Sequence, residues 1–354
     1  MWLSLFLWSL ALDWGFYAHR IINEHAVYSL PIELIPFYKN HISYISAHAV
    51  DPDKRRYTVP GEAKKHFIDL DHWGNAPFPI LSRDYVKDLH NFLILQMNDH
   101  DLKESFPSSL YDSIFYKDAL PNFIKEESEF LWEGKKILIV DTFTIHGILP
   151  YHLEKMLENL TEAFKNLEVE KILRISSEFG HYIGDASVPL HTTKNYNGQL
   201  TGQDGIHALW ETKIPELLLE KEFDLWAKKA EYIRNPKDFY WNLILDSHEL
   251  VERVLEAEKE AKSALHGKFH YCWQKRNQSM VKSECPELVK KYNELLNHQV
   301  ELRLKTAIHA ISSSWFTAWI NAGQPTLKQL KINLKNSSEG DKEIEELFLC
   351  NRPR

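Results

Sequence analysis

The sequence predicts an all-α fold, a single multi-helix domain. Apolar residues recur at three- and four-residue spacing in several separate segments, the mark of helices with one buried face. Strand-like runs are few, and no repeat of about 20–50 residues points to a solenoid. With 354 residues, 44% of them apolar, the chain is long enough to bury a sizeable core.

Residues 1–13, MWLSLFLWSLALD, are strongly apolar and read as a short export signal, although no Lys or Arg precedes the run. The plain alternative is a buried N-terminal segment. The signal implies a secreted or periplasmic protein. No later run is long and apolar enough to span a membrane, so no transmembrane anchor is expected. Ser29 and Pro31 mark a helix start, with Leu34, Ile35, Tyr38, Ile42 and Ile45 on one face. Leu153, Met156, Leu157, Leu160, Phe164 and Leu167 form a second stripe, and Ile172, Ile175, Phe179, Tyr182 and Ile183 a third. A helix is expected from about Trp241 to about Leu265. A long final one runs from about Leu288 to Ile320, stopped by Gly323 and Pro325. Ile137–Thr144 (ILIVDTFT) has the composition of a strand, but a lone strand has nothing to pair with. It is therefore expected as a buried helix or an extended connector. Residues 14–325 read as the domain and 326–354 as a polar tail.

A formal net charge of −8 argues against binding duplex nucleic acid through a broad basic face. It leaves room for an enzyme that holds phosphate through metal ions, whose charge a residue count misses. The cysteines are Cys272, Cys285 and Cys350. Cys272 and Cys285 are free to pair in an oxidising compartment, and none sits in a CxxC zinc pattern.

The chemistry concentrates in HYIGDASVPLH, residues 181–191. His181 and Asp185 stand four apart, one helical turn from each other on the same face, and His191 follows Pro189. His207 and Glu211 repeat that spacing in GIHALWE. Imidazole and carboxylate are the ligands zinc accepts where no cysteine is offered. A lone HxxxD pair is ordinarily an exposed ion pair. Here the neighbours are Phe179, Tyr182, Ile183, Ile206, Leu209 and Trp210, and burying His, Asp and Glu among them demands a partner. Upstream candidates are Asp51 in DPDKRR, His66 in HFIDLD, and Trp14 with His19 in WGFYAH.

Together these motifs resemble the superfamily that joins bacterial zinc-dependent phospholipase C to single-strand-specific zinc nucleases. The resemblance spans roughly Trp14 to Glu211 and implies an all-α fold with a trinuclear zinc cleft. It implies that Asp51, His66, His181 and Asp185 hold one zinc, and that His191, His207 and Glu211 hold another. Asp185 is then shared with a third zinc on His19 and on the amino and carbonyl groups of an N-terminal Trp14. That third site requires cleavage after Asp13. The short WGxxxH spacing is similar to the nuclease branch, whereas Glu211 matches the phospholipases.

The implied activity is hydrolysis of a phosphoric ester, with a hydroxide shared between two close zincs as nucleophile. Asp51 would also orient the attacking water. Arg55 or its neighbours Lys54 and Arg56 would steady the phosphate, the alternative being a solvated charge cluster. Phe67 and Asp69 match base-contacting residues of the nucleases, against plain roles in packing and in bonding a ligand histidine. His72, His146 and His152 are read as structural. TTKNYNGQLTGQD, between His191 and His207, reads as a loop at the mouth of the site. The expected substrate is single-stranded nucleic acid or a nucleotide. A phospholipid is the second expectation, and a non-catalytic zinc-binding helical protein the third. No stable protein partner is inferred.

Overall fold

The computed structural model describes residues 15–97, 100–101, 127–132, 135–276 and 279–327. Trp14, the segment 1–13 and nearly all of the tail lie outside the described residues.

The protein is mainly α-helical. Helix α1 (Phe16–Tyr28) is followed by the short helices α2 (Ile35–Asn40), α3 (Ile42–Ala47) and α4 (Asp51–Arg55). After α5 (Tyr85–Phe92) the chain enters a four-stranded antiparallel sheet of β1 (Leu93–Met97), β2 (His100–Asp101), β3 (Glu127–Trp132) and β4 (Lys135–Asp141), in the order β2-β1-β4-β3. Helices α6 (Leu149–Lys165) and α7 (Val169–Ala186) then pack against each other and against the last helix.

Local sequence explains both. Pro150 opens α6, where its missing N–H costs nothing, and Leu153, Met156, Leu157, Leu160 and Phe164 are buried along one stripe. In α7 every residue from Ile175 to Ala186 is buried, so both faces of its second half are covered. A polar side chain there has no access to water and must find its partner within the protein.

The chain continues through a π-helical turn (Leu209–Lys213), α8 (Ile214–Glu222), α9 (Pro236–His248) and α10 (Val251–Ala264). A hairpin of β5 (Tyr271–Arg276) and β6 (Ser279–Glu284) leads to α11 (Pro286–Leu295) and α12 (Gln299–Asn321). One hydrophobic core runs through these elements from Ala18 to Leu327. At its centre Tyr38 stacks on Trp315, with ring centroids 4.7 Å apart and planes 2° from parallel, and the Trp315 indole donates to Ser176 O. Such a stack contributes about 0.5–1.5 kcal/mol beyond the area it buries.

Three expectations are corrected. Lys135–Asp141 is a central strand, because Leu93–Met97 and Glu127–Trp132 pair with it on either side. The helix expected across Trp241–Leu265 is two helices, broken after His248. The final helix is also two, because Asn297 and His298 adopt left-handed φ of 49° and 63° between α11 and α12. Apolar spacing continues across both breaks, so periodicity alone conceals them. Cys272 and Cys285 form a disulfide that ties β5 to the start of α11.

Candidate metal centre

Helix α7 supplies the centre of the site. His181 and Asp185 lie on the face turned toward α1, where Gly180 and Gly184 let the two helices approach. A Cβ at Gly180 would land on Asn23 Oδ1, and one at Gly184 would lie 2.8 Å from His19 Nδ1. Asn23 uses that closeness to donate to Ser177 O at 2.9 Å. The glycines thus bring His19 of α1 against Asp185.

Three groups result, each with ligand atoms within 4.8 Å of one another: Asp53, His66 and His181; His19, His181 and Asp185; and His191, His207 and Glu211. Two carboxylates connect them. Asp185 Oδ2 lies 2.9 Å from His66 Nδ1 and 3.4 Å from His181 Nε2, while its Oδ1 lies 3.4 Å from His19 Nε2 and 3.8 Å from His191 Nε2. Glu211 Oε1 lies 3.2 Å from His19 Nε2, and its Oε2 lies 2.6 Å from His207 Nε2 and 3.6 Å from His191 Nε2. Glu211 sits in the π-helical turn, a local irregularity often found at functional sites.

Backbone carbonyls set the rings. His181 Nδ1 donates to Ala49 O at 2.9 Å, His191 Nδ1 to His66 O at 2.6 Å, and His207 Nδ1 to Tyr196 O at 3.1 Å. A carbonyl only accepts, so each Nδ1 carries a proton and Nε2 is the ring atom turned toward the carboxylates. Such carbonyl support is the usual arrangement behind metal-bound histidine. His66 Nε2, His191 Nε2 and His19 Nδ1 are also buried without a hydrogen-bond partner. Buried His, Asp and Glu of this kind could hold metal ions, and the nitrogen-rich donor set fits a borderline-soft cation better than Mg²⁺ or Ca²⁺.

The electrostatics agree. Burial pushes the Asp185 carboxyl up, but the surrounding His181, His191 and His66 outweigh it and hold it well below the usual range. Glu211 is likewise held low against burial by the adjoining imidazoles of His19, His191 and His207. Burial and the neighbouring Asp185 push Asp53 up. Burial alone would lower His19, yet the bond to Glu211 and the charges of Asp185, Glu211 and Asp53 raise it to about 9.

Of the residues singled out from sequence, the structure brings together His19, His66, His181, Asp185, His191, His207 and Glu211. Asp51 stands apart, 2.6 Å from His48 Nδ1 and 2.8 Å from Lys54 Nζ, and Asp53 takes the place expected for it. The i,i+3 pair of His48 and Asp51 was the signal in the sequence that could have separated the two aspartates. Lys54 is engaged with Asp51. Arg55 is held bidentate by Glu178 at 2.9 and 3.0 Å, with Glu62 at 3.0 Å and the Tyr182 hydroxyl at 3.2 Å. It therefore ties α4, which carries Asp53, to α7. Arg56 instead bears on His191 with its positive charge and has no ion-pair partner among the described residues.

Phe67 and Asp69 follow His66 along a segment that bonds outward on both sides, Ile68 N to His191 O at 2.9 Å and Asp69 N to His146 O at 2.8 Å. Phe67 is half-buried, and a Cβ on Gly147 would collide with its carbonyl. Asp69 Oδ2 lies 3.4 Å from His146 Nδ1, and His146 stacks on His72 at 3.4 Å. Burial and Asp71 push the Asp69 carboxyl up to about 6. His152 packs edge-on against Tyr182 at 4.4 Å. The loop before His207 orients that ring through Tyr196 O and is pinned by Gln203, which donates to Leu255 O and Glu258 of α10. The cluster is otherwise sealed; Asp53 and His207 have side chains 25% and 22% exposed and mark its open side.

No protein-family model matches the chain, and no curated protein matches it. Among the described residues, no helix is long and apolar enough to cross a membrane.

Proposed function

We propose that this protein is a zinc-dependent hydrolase of phosphoric ester bonds, of the single-strand-specific nuclease or nucleotidase type. The observation that carries it is the linked cluster in which three histidines, fixed at Nδ1 by backbone carbonyls, turn Nε2 toward Asp53, Asp185 and Glu211. In this reading Asp53, His66, His181 and Asp185 hold one zinc, and His191, His207 and Glu211 another. His19 and Asp185 take part in a third with the N-terminal groups of Trp14. Zinc, when bound, supplies positive charge for the phosphoryl oxygens and lowers the pKa of water to about 7.

The chain's own residues do the rest. Asp185 and Glu211 each present one oxygen to either side, which fixes the spacing of the groups they join. Carbonyls of Ala49, His66 and Tyr196 keep the imidazoles in the ligating tautomer. Arg55 steadies the helix of Asp53 through Glu178. Arg56, whose positive charge bears on His191 and which has no ion-pair partner among the described residues, contacts the phosphate. Phe67 and Asp69, which follow the His66 ligand in the chain, meet the base by stacking and hydrogen bonding.

Glu211 in place of an aspartate keeps phospholipase C chemistry as the second reading. His181→Ala tests the assignment, because His181 belongs to two of the three groups. The variant is expected to lose bound zinc and phosphodiester hydrolysis together. Normal zinc content with normal hydrolysis contradicts the proposal.

A further inference from the structure

Away from the metal centre, the β5–β6 hairpin exposes an aromatic and basic face. Alternation along the strands places Tyr271, Trp273 and Lys275 of β5 on one side, opposite Glu284, Lys282 and Met280 of β6. Tyr271 is 47% exposed, Trp273 68% and Met280 57%. Lys282 Nζ lies 5.1 Å from the centroid of the Tyr271 ring. From residue 261 to 283 the sequence has five Lys or Arg and no Asp or Glu, within a chain of net charge −8. Exposed aromatic rings grouped on one face mark a contact surface, and Lys275 and Lys282 beside them, against the single carboxylate of Glu284, suit it to an anionic partner.

From this face we infer that the hairpin is an accessory binding surface for single-stranded nucleic acid, which it delivers to the metal centre. The inference rests on the nuclease reading of that centre. Tyr271 and Trp273, two residues apart on one strand, are about 7 Å apart along it, roughly two nucleotide rises. Two bases can therefore stack on the two rings while Lys275 and Lys282 meet the flanking phosphates.

The hairpin is also joined to the site. His270 Nε2 donates to Lys262 O at 2.8 Å on the last turn of α10, and the Cys272–Cys285 disulfide fastens β5 to α11. Gln203, in the loop between His191 and His207, bonds Leu255 O and Glu258 on the same helix. From Leu255 to Lys262, between these two contacts, the helix rises about 10 Å.

The test is fluorescence anisotropy of a labelled, hydrolysis-resistant phosphorothioate oligothymidylate with the full-length, zinc-replete protein. Tyr271→Ala with Trp273→Ala is expected to weaken binding about tenfold per ring. Lys275→Glu with Lys282→Glu is expected to weaken it and to flatten its salt dependence. Unchanged affinity in both double variants overturns the inference. So does wild-type protein that ignores the oligonucleotide but sediments with phosphatidylserine vesicles through the same residues. Hydrolysis of a small phosphodiester by the wild-type protein is scored separately: its absence removes the catalytic reading, and anisotropy still decides the hairpin.

Discussion

Asp53 Oδ1 lies 3.6 Å from His181 Nε2, while Asp51, two residues earlier, is turned away onto His48 and Lys54. The two aspartates therefore separate in experiment. Asp53→Ala should lower zinc content and hydrolysis together, and Asp51→Ala should leave zinc content at the wild-type level. Elemental analysis of the purified variants measures both.

The adjacent arginines should separate as well. Arg55→Ala leaves Glu62 and Glu178 buried without their shared cation and should cost about 2–3 kcal/mol of stability, read as a lower denaturation midpoint. Arg56→Ala should leave stability and zinc nearly unchanged but reduce kcat/KM on a phosphodiester by on the order of 100-fold. Equal effects of the two substitutions would contradict the division of roles.

Gly184 tests how α1 and α7 meet. A Cβ there approaches His19 Nδ1 to 2.8 Å and Ile22 Cδ1 to 2.9 Å, so Gly184→Ala must push the helices apart. The expected cost is about 1–3 kcal/mol, with a loss of metal affinity at the group containing His19. Calorimetric zinc titration alongside thermal melting distinguishes this from simple destabilisation.

Asp69 gives a dependence on pH. Its folded pKa is raised to about 6, by burial first and Asp71 second. A raised folded pKa favours the fold where the carboxyl is protonated. That contribution is complete below the unfolded value of about 3.9 and is lost as pH rises through about 6. Stability relative to Asp69→Asn should therefore fall by on the order of 2 kcal/mol between pH 4 and pH 7. A constant difference between the two proteins across that range would contradict it.

Much of the helical framework was legible because apolar stripes such as Leu153 to Phe164 carry it locally. The same holds for the pairs His181/Asp185 and His207/Glu211, whose i,i+4 spacing puts both side chains on one face. What escaped the sequence depends on distant partners. Arg55 meets Glu178, 123 residues away, and nothing near Arg55 announces it. β4 needs β1 and β3, drawn from separate segments. Asp53 differs from Asp51 only in how the turn of α4 faces α7. The breaks after His248 and Leu296 interrupt helices whose apolar pattern runs on unbroken.

The central claim is that the cluster around Asp185 and Glu211 binds metal to hydrolyse a phosphoric ester. The most direct measurement is a parallel assay of the purified protein on single-stranded DNA and on phosphatidylcholine, with chelator and then with zinc restored. Cleavage of DNA that chelator abolishes and zinc restores is the predicted result. Zinc-replete protein that cleaves neither substrate would contradict the account.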